Sequence, residues 1–525
     1  MDASVEQRNG AGSGLYERRW WALIVLCLSL VVIGMDNTIL NVALPTLARE
    51  LRASASELQW IVDAYVLVFA GLLLTMGALG DRFGRKLALN IGLLVFVAGS
   101  VASAFAGSAG MLIASRATMG IGGALIMPST LSIITNVFPP KERGRAIGIW
   151  AGVAGFGIIL GPVIGGWLLE HFWWGSVFLV NVPVVVVAIA AGYRLVPESK
   201  DPNATPLDPV GAGLSIAALG TLVYGIIEAP DRGWTDGLIL GLFGVGLVLG
   251  LIFIWWERRA EHPMLRLEFF RNPRFSAGAT AITTVFFALF GSVFLLTQYL
   301  QFVLGYSPLE AGLRLLPVAV LIVAAPTSAR LAEKIGTKFV VATGLFTVAV
   351  ALFLLSTVGT TSGYGIVAAS VAILGAGMGL TMAPATESIM GSLPLAKAGV
   401  GSAMNDTTRM VGGALGVAIL GSVMASSYAS AIVPALSGLP AQAAGAAGNS
   451  IGGASLVAAQ LGSAGSALLS AARSAYVEAM GSALLIAVGV AALGGVLVLL
   501  FLPAHAKDRD EQTPAEKRPA EKVGA

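Results

Sequence analysis

The chain has 525 residues, 56% of them hydrophobic and 12% charged, with a formal net charge of +3 and a mean hydropathy of +0.83. Soluble domains carry about 25% charged residues, which excludes an ordinary water-soluble enzyme; the apolar content excludes disorder, and no heptad or Gly-X-Y period supports coiled coil or collagen. Cys27, the one cysteine, excludes a disulfide framework, and His171, His262 and His505 are too scattered for a zinc site, so no metal is expected and the composition is that of a polytopic membrane protein.

A helix crosses the hydrocarbon core with roughly 20 mostly apolar residues, and fourteen such stretches are expected here. A polar tail, 1–19, expected to be disordered and cytoplasmic, leads through Arg18, Arg19, Trp20 and Trp21 into the first span, a basic and aromatic anchor. That span is too long for a signal peptide and lacks a small-residue cleavage site after it, so it is expected to be retained. Six spans fill residues 20–200: 21–43, 58–79, 87–106, 111–136, 145–169 and 176–196. Two more, 208–227 and 237–256, occupy 201–260. The last six, 275–303, 310–332, 339–358, 364–390, 397–426 and 480–502, lie within 261–502. The Ala-, Gly- and Ser-rich segment 428–478 is expected to be an extracellular hairpin, and 503–525 a second polar cytoplasmic tail. With both termini on one side, 25 of the 32 Lys and Arg residues fall on that side, and the opposite loops hold five: Arg49, Arg52, Arg232, Arg314 and Arg473. The excess of basic residues in cytoplasmic loops places both termini in the cytoplasm.

The connection after the second span reads Gly77-Ala-Leu-Gly80-Asp81-Arg82-Phe83-Gly84-Arg85-Lys86. After the tenth it reads Arg330-Leu-Ala-Glu333-Lys334-Ile335-Gly336-Thr337-Lys338. Both repeat an acid, base, glycine, base order at the same place in a six-span set, an internal repeat that fits a transporter built from two bundles. Gly77, Gly80 and Gly84 permit a tight turn; Arg82, Arg85 and Lys86 hold it at the membrane surface, and Asp81 can cap or pair with a helix end. In span five Gly157, Gly161 and Gly165 recur every four residues, which lets another backbone approach, and Pro162 favours a kink. On that pattern alone, plain packing and gating both remain open.

The loop order Gly-x-x-Gly-Asp-Arg-x-Gly-Arg-Lys resembles the signature loop of the major facilitator superfamily. The run Gly161-Pro162-Val-Ile-Gly165-Gly166 resembles the motif that marks antiporters within it. Other strings extend the likeness: Met35-Asp36-Asn37-Thr38-Ile39-Leu40-Asn41, Trp60-Ile61-Val62-Asp63-Ala64-Tyr65, Phe178-Leu-Val-Asn181-Val-Pro183 and Gly412-Gly413-Ala414-Leu415-Gly416. Together they resemble the fourteen-span drug:proton antiporters (QacA/EmrB-like), and most of all the QacA-type exporters of quaternary ammonium compounds, over essentially the whole chain. The resemblance implies an all-α major facilitator fold of two six-helix bundles plus two extra central helices.

A charge at mid-bilayer costs about 2.5–3.5 kcal/mol on insertion scales, so each one retained there is a candidate for function. Asp36 in span one has Arg116 in span four as its obvious partner. The pair is open to two readings, a static bridge locking two helices or a proton switch, and the resemblance favours proton coupling by Asp36 and Arg116. Asp63 stands three residues after Trp60, so carboxylate and indole share a helix face suited to an organic cation; the bland reading is a solvated acid near the outer mouth. Asp406 forms a possible intrahelical pair with Arg409, while in QacA-type proteins acids of this helix face the cavity, with Asn405 standing here at a neighbouring acidic position. Those exporters also carry an acid in span ten, where this chain has the apolar run Val318 to Ala325, which puts divalent cations in doubt. Glu387 is open between the cavity and solvent. In span nine Phe290 and Gln298, with Phe286, Phe287 and Phe294, are either cavity lining or packing.

The resemblance implies a multidrug efflux antiporter of the bacterial cytoplasmic membrane. It would export amphipathic, cationic compounds by alternating access, in exchange for protons. The expected partners are the lipid bilayer, a small-molecule drug or metabolite and protons, with no nucleic acid, no cofactor beyond the proton gradient, and a monomeric state. A dedicated exporter of one endogenous metabolite, antibiotic or lipid is the alternative, since Arg outnumbers Lys 23 to 9 as in a GC-rich genome. A channel or non-transporting receptor belongs to a different class. An enzyme lacks its clustered nucleophiles here, and an ATP-driven pump its phosphate loop.

Overall fold

A computed structural model describes residues 3–200, 208–263, 265–393 and 398–503. The described residues are helical and contain no strand. The first part of the chain gives α1 (Ala3–Glu50), α2 (Ala55–Phe83), α3 (Arg85–Ala104), α4 (Ala109–Val137), α5 (Pro140–His171), α6 (Ser176–Leu179) and α7 (Asn181–Leu195). A central pair follows, α8 (Pro209–Arg232) and α9 (Gly237–Arg259). The last part gives α10 (Pro273–Gln298), α11 (Pro308–Arg314), α12 (Val320–Ile335), α13 (Thr337–Ser356), α14 (Tyr364–Gly391) and α15 (Ala398–Ile432). Two short helices, α16 (Ala441–Asn449) and α17 (Ile451–Gln460), precede α18 (Gly465–Phe501).

Thirteen segments of the described residues are long and apolar enough to cross a bilayer. They coincide with the expected spans except the fifth, 145–169, which falls within the 32-residue α5, where many side chains lie outside the described set. Helix starts are set by local chemistry. Ser54 and Ser307 form capping boxes with Glu57 and Glu310, and Ser108, Asp208, Asp236 and Asn272 cap with a side-chain oxygen. Each satisfies amide donors that a helix start leaves without partners.

Four boundaries differ from the sequence expectation. Residues 3–19 continue α1 as helix rather than forming a disordered tail; that stretch has no proline to stop the helix. The expected span 310–332 is broken into α11, a 3-10 turn at Leu316–Ala319 and α12, because Pro317 withholds an amide donor at the join. Span six is interrupted between α6 and α7 at Val180, three residues before Pro183. Finally, α18 starts at Gly465, so only the α16–α17 part of the expected hairpin 428–478 is a hairpin, while α15 runs on to Ile432. Ala, the best helix former, dominates these stretches and carries the two helices past the apolar core. The tail 504–525 lies outside the described residues.

One packing pattern occurs twice. In the first part α1 packs on α5, and α2 and α3 on α4; in the last part α10 packs on α15, and α12 and α13 on α14. Gly84 and Gly336, at equivalent connections, both take left-handed φ, +129° and +94°. The starts of α1 and α5 are joined by Arg19 Nε donating to Glu142 Oε2 (2.8 Å). Glu198, after α7, accepts from the Lys86 amide (3.2 Å). These contacts gather the N-terminal part of α1 and the α2–α3 and α4–α5 connections at one end, called here the basic end. Helix α8 packs against both α2 and α15. Its partner α9 shows Leu240, Leu247, Val248 and Leu251 to the surroundings, an apolar band of the kind lipid covers.

Candidate functional site

Helix α1 carries polar residues on two faces. At 100° per residue, Asp36 points away from Thr38 and Asn41. Asp36 faces into the first group of helices, where its Oδ2 accepts from Arg116 Nη1 of α4 at 2.5 Å. The side chains are 0% and 1% exposed, so the pair is fully out of water. Desolvation costs several kcal/mol per ion, and such a pair persists only with its remaining hydrogen-bonding groups met. Neighbouring helices meet them. Arg116 Nε donates to the Ile61 carbonyl (3.2 Å), and its guanidinium lies 4.4 Å from the centre of the Tyr65 ring. Asn181 of α7 donates to Asp36 Oδ1 (3.5 Å) and to Ser100 Oγ of α3 (3.1 Å). Ser100 Oγ donates onward to the Phe178 carbonyl (2.8 Å). Six helices, α1 to α4, α6 and α7, thus converge on one charge pair.

The other face of α1 borders a cavity between the two helix groups. Thr38 and Asn41 of α1 and Pro162 of α5 form one wall; Phe286, Phe290 and Leu296 of α10, and Leu374, Met378 and Met382 of α14, form much of the rest. Among the described residues no lining side chain is charged; Ser292 and Ser370 add two hydroxyls. Phe286 also receives the Arg409 guanidinium at 5.5 Å from its ring centre, so the Asp406–Arg409 pair of α15 stands behind this wall rather than in it.

Of the candidate binding residues, Phe286 and Phe290 line this cavity. Asp63 is 0% exposed and therefore is not a solvated acid of an outer vestibule. It follows Gln59 by one helical turn on the side of α2 that meets α15, and both its carboxylate oxygens lack a hydrogen-bond donor among the described residues. Trp60 turns instead to Tyr224 of α8, ring centres 5.7 Å apart. Asp406 Oδ1 pairs with Arg409 Nη1 of its own helix at 3.7 Å, and Asn405 Oδ1 accepts from Thr386 (3.3 Å). Gln298 borders a smaller recess with Gln59, Tyr428 and Ile451 and donates to the Phe294 carbonyl (3.2 Å). Glu387 is exposed. Burial, and which neighbouring helix each face meets, separate these side chains from the cavity, and neither is visible in the local sequence.

The loop motif forms a clasp at the basic end. Asp81 accepts from Arg85 Nε one turn on (2.7 Å), and Lys86 Nζ donates to the Tyr193 carbonyl (2.8 Å). Gly77 and Gly80 lie against Pro128 and Ser129 of α4, whereas Arg82 is exposed. In α5, Gly157, Gly161 and Gly165 lie against α1 between Val31 and Ile39, directly along the segment that carries Asp36. The neighbouring Pro162 and Gly166 touch α11 at Gly312 and Leu309, so one glycine-rich helix links the ion-pair helix to the second group.

The sequence profile of the Major Facilitator Superfamily matches residues 26–417. The chain belongs to this superfamily. As a facilitator it is 41% identical over 450 residues to the multidrug efflux pump LfrA of Mycolicibacterium smegmatis, covering 85% of this chain and 89% of that protein. It is 36% identical to the tetracenomycin C resistance and export protein of Streptomyces glaucescens, covering 79% of this chain and 77% of the relative. The methyl viologen resistance protein SmvA of Salmonella typhimurium is also 36% identical, covering 83% and 88%. Among solved structures, a bacterial homologue of the human lysosomal transporter Spinster, inward-facing and unoccupied, superposes with a TM-score of 0.67 at 18% identity, covering 93% of this chain and 99% of that one. The facilitator fold, and with it a membrane transporter, follows from these likenesses. Sequence reasoning about this facilitator missed the roles of Tyr65, Ser100 and Asn181 around the ion pair; Asn181 and Tyr65 lie in strings that carried the resemblance, but nothing local shows what they touch.

Proposed function

We propose that the protein is a proton-driven efflux antiporter that exports amphipathic, lipophilic compounds across the bacterial cytoplasmic membrane. The observation that carries this reading is the fully buried Asp36–Arg116 pair, 2.5 Å apart, on the helix whose other face lines the apolar cavity. Efflux by relatives supplies the direction of transport. A proton reaching Asp36 discharges the carboxylate and frees Arg116, whose charge the Tyr65 ring and Ile61 carbonyl would continue to hold. The α1–α5 contact at Gly157, Gly161 and Gly165 would then carry the shift to α11. Lipophilic cations fit the cavity through the Phe286 and Phe290 rings rather than through a fixed carboxylate.

In this reading α5 carries the fifth span and brings the total to fourteen, both termini are cytoplasmic, and bundles 20–200 and 261–502 rock about the cavity with 201–260 inserted between them. The proton gradient is the energy source, with no cofactor, and the protein works as a monomer. One elementary charge moved through 100 mV supplies about 2.3 kcal/mol, enough to hold roughly a fortyfold gradient at 1.4 kcal/mol per factor of ten. A dedicated exporter is the second reading, favoured by relatives named for single antibiotics, tetracenomycin C and methylenomycin A.

Ethidium efflux from energised cells lacking their own pumps tests the proposal. Efflux should require the expressed protein and stop when a protonophore is added. Efflux that continues with the protonophore present removes proton coupling.

A further inference from the structure

Asn41 is the feature of the cavity wall left unexplained by this mechanism. It is 2% exposed and borders the cavity beside Thr38. Its Nδ2 donates to the Asn37 carbonyl one turn back (3.2 Å), which fixes the amide so that Oδ1 is the group left over. That oxygen is buried and accepts no hydrogen bond among the described residues. A buried acceptor without a donor is costly and uncommon, and here the deficit belongs to a residue that borders a cavity lined by Phe286, Phe290, Met378 and Met382. Aromatic and thioether groups suit a flat, polarizable ring system, but they give it no fixed position. Asn41 can, while the hydroxyls of Thr38, Ser292 and Ser370 in the same wall already donate to carbonyls of their own helices.

We infer that Asn41 Oδ1 is a specificity-determining acceptor for the cargo, and that the cavity takes lipophilic ring compounds carrying an N–H or O–H donor. This rests on the efflux reading. A cargo molecule that presses against Phe290 and displaces the packing over Asn41 would donate to Oδ1 and so satisfy an oxygen that accepts no hydrogen bond among the described residues. Because no described lining residue is charged, a donor group, rather than formal charge, distinguishes good cargo from poor.

Two probes of equal charge separate donor from charge: ethidium, which carries aryl-amine donors, and tetraphenylphosphonium, which has none. Both are assayed in cells lacking their own pumps, with membrane abundance measured for each variant. Asn41→Leu should lower ethidium efflux about tenfold while tetraphenylphosphonium efflux stays within about twofold, since a site built to bond a donor discriminates by that group. Equal loss of both probes, or loss of neither, overturns the inference and leaves the efflux reading intact. If Asn41→Leu does not accumulate in the membrane, Asn41→Ser keeps an acceptor in less volume. It should then reduce ethidium efflux selectively, and an equal reduction again overturns the assignment. Wild-type protein that moves neither probe removes the efflux reading and this inference with it.

Discussion

Arg116 is charged whether or not Asp36 carries a proton, so the environment must hold that charge in both states. The Tyr65 face, 4.4 Å from the guanidinium carbon, is the group placed to do so, and a desolvated cation–π contact contributes about 2 kcal/mol or more. Asp36→Asn should abolish uphill efflux while the protein remains in the membrane; normal protonophore-sensitive efflux in that variant would sink the coupling assignment. Tyr65→Phe keeps the ring and should transport nearly as wild type. Tyr65→Leu should fall by roughly thirtyfold, the rate equivalent of about 2 kcal/mol. If both Tyr65 variants transport equally well, the ring does not hold Arg116. At this scale the sequence showed the two charges, because a charge in an apolar stretch is rare and expensive. It did not show Tyr65 or Asn181, since an aromatic or amide in such a helix is ordinarily packing until its neighbours are known.

Among elements, the α1–α5 contact has little slack. A Cβ added at Gly161 would come within 2.7 Å of the Met35 carbonyl oxygen and 2.9 Å of the Ile39 amide nitrogen, both backbone atoms that cannot step aside. Gly161→Ala should therefore destabilise the protein by about 1–3 kcal/mol, the usual cost of overpacking, and reduce efflux with it. Gly250 in α9 has open space around its Cβ position, so Gly250→Ala should be neutral or gain up to about 1 kcal/mol in helix propensity. Melting temperatures of the two variants in detergent check both; a stable Gly161→Ala would mean that the helices are not in close contact. The four-residue glycine spacing was legible as a close approach, but the identity of the approaching helix was not. The break of span ten had its cause in view at Pro317, yet the apolar run around it read as continuous because hydropathy does not register a missing amide donor.

Across the whole molecule, side-chain contacts between the two helix groups gather at the end opposite the basic loops. Gln301 Nε2 donates to the Val42 carbonyl (2.9 Å), Ser422 Oγ donates to Gln59 Oε1 (3.2 Å), and Arg49 lies over the Phe302 ring at 5.8 Å. If transport requires this seam to open, a bond across it must stop transport. In a Cys27→Ser background, which removes the single native and buried cysteine, Gln59→Cys with Ser422→Cys should lose efflux when joined by a short thiol cross-linker and recover it on reduction. Full activity in quantitatively cross-linked protein would exclude alternating access through this seam.

Hydropathy and length determined the spans, and the repeated glycine–charge connections determined the twofold plan, because insertion into a bilayer is governed by each segment's own composition and by the need to satisfy its backbone internally. Which acids meet the cavity was decided only by the tertiary structure. Asp63, Asp406 and Asp36 all stand in apolar helices, and each turns toward a helix rather than the cavity. A side chain's direction around its own axis is readable from sequence, but the object it faces depends on how distant helices pack, and that is fixed by contacts between residues far apart in the chain.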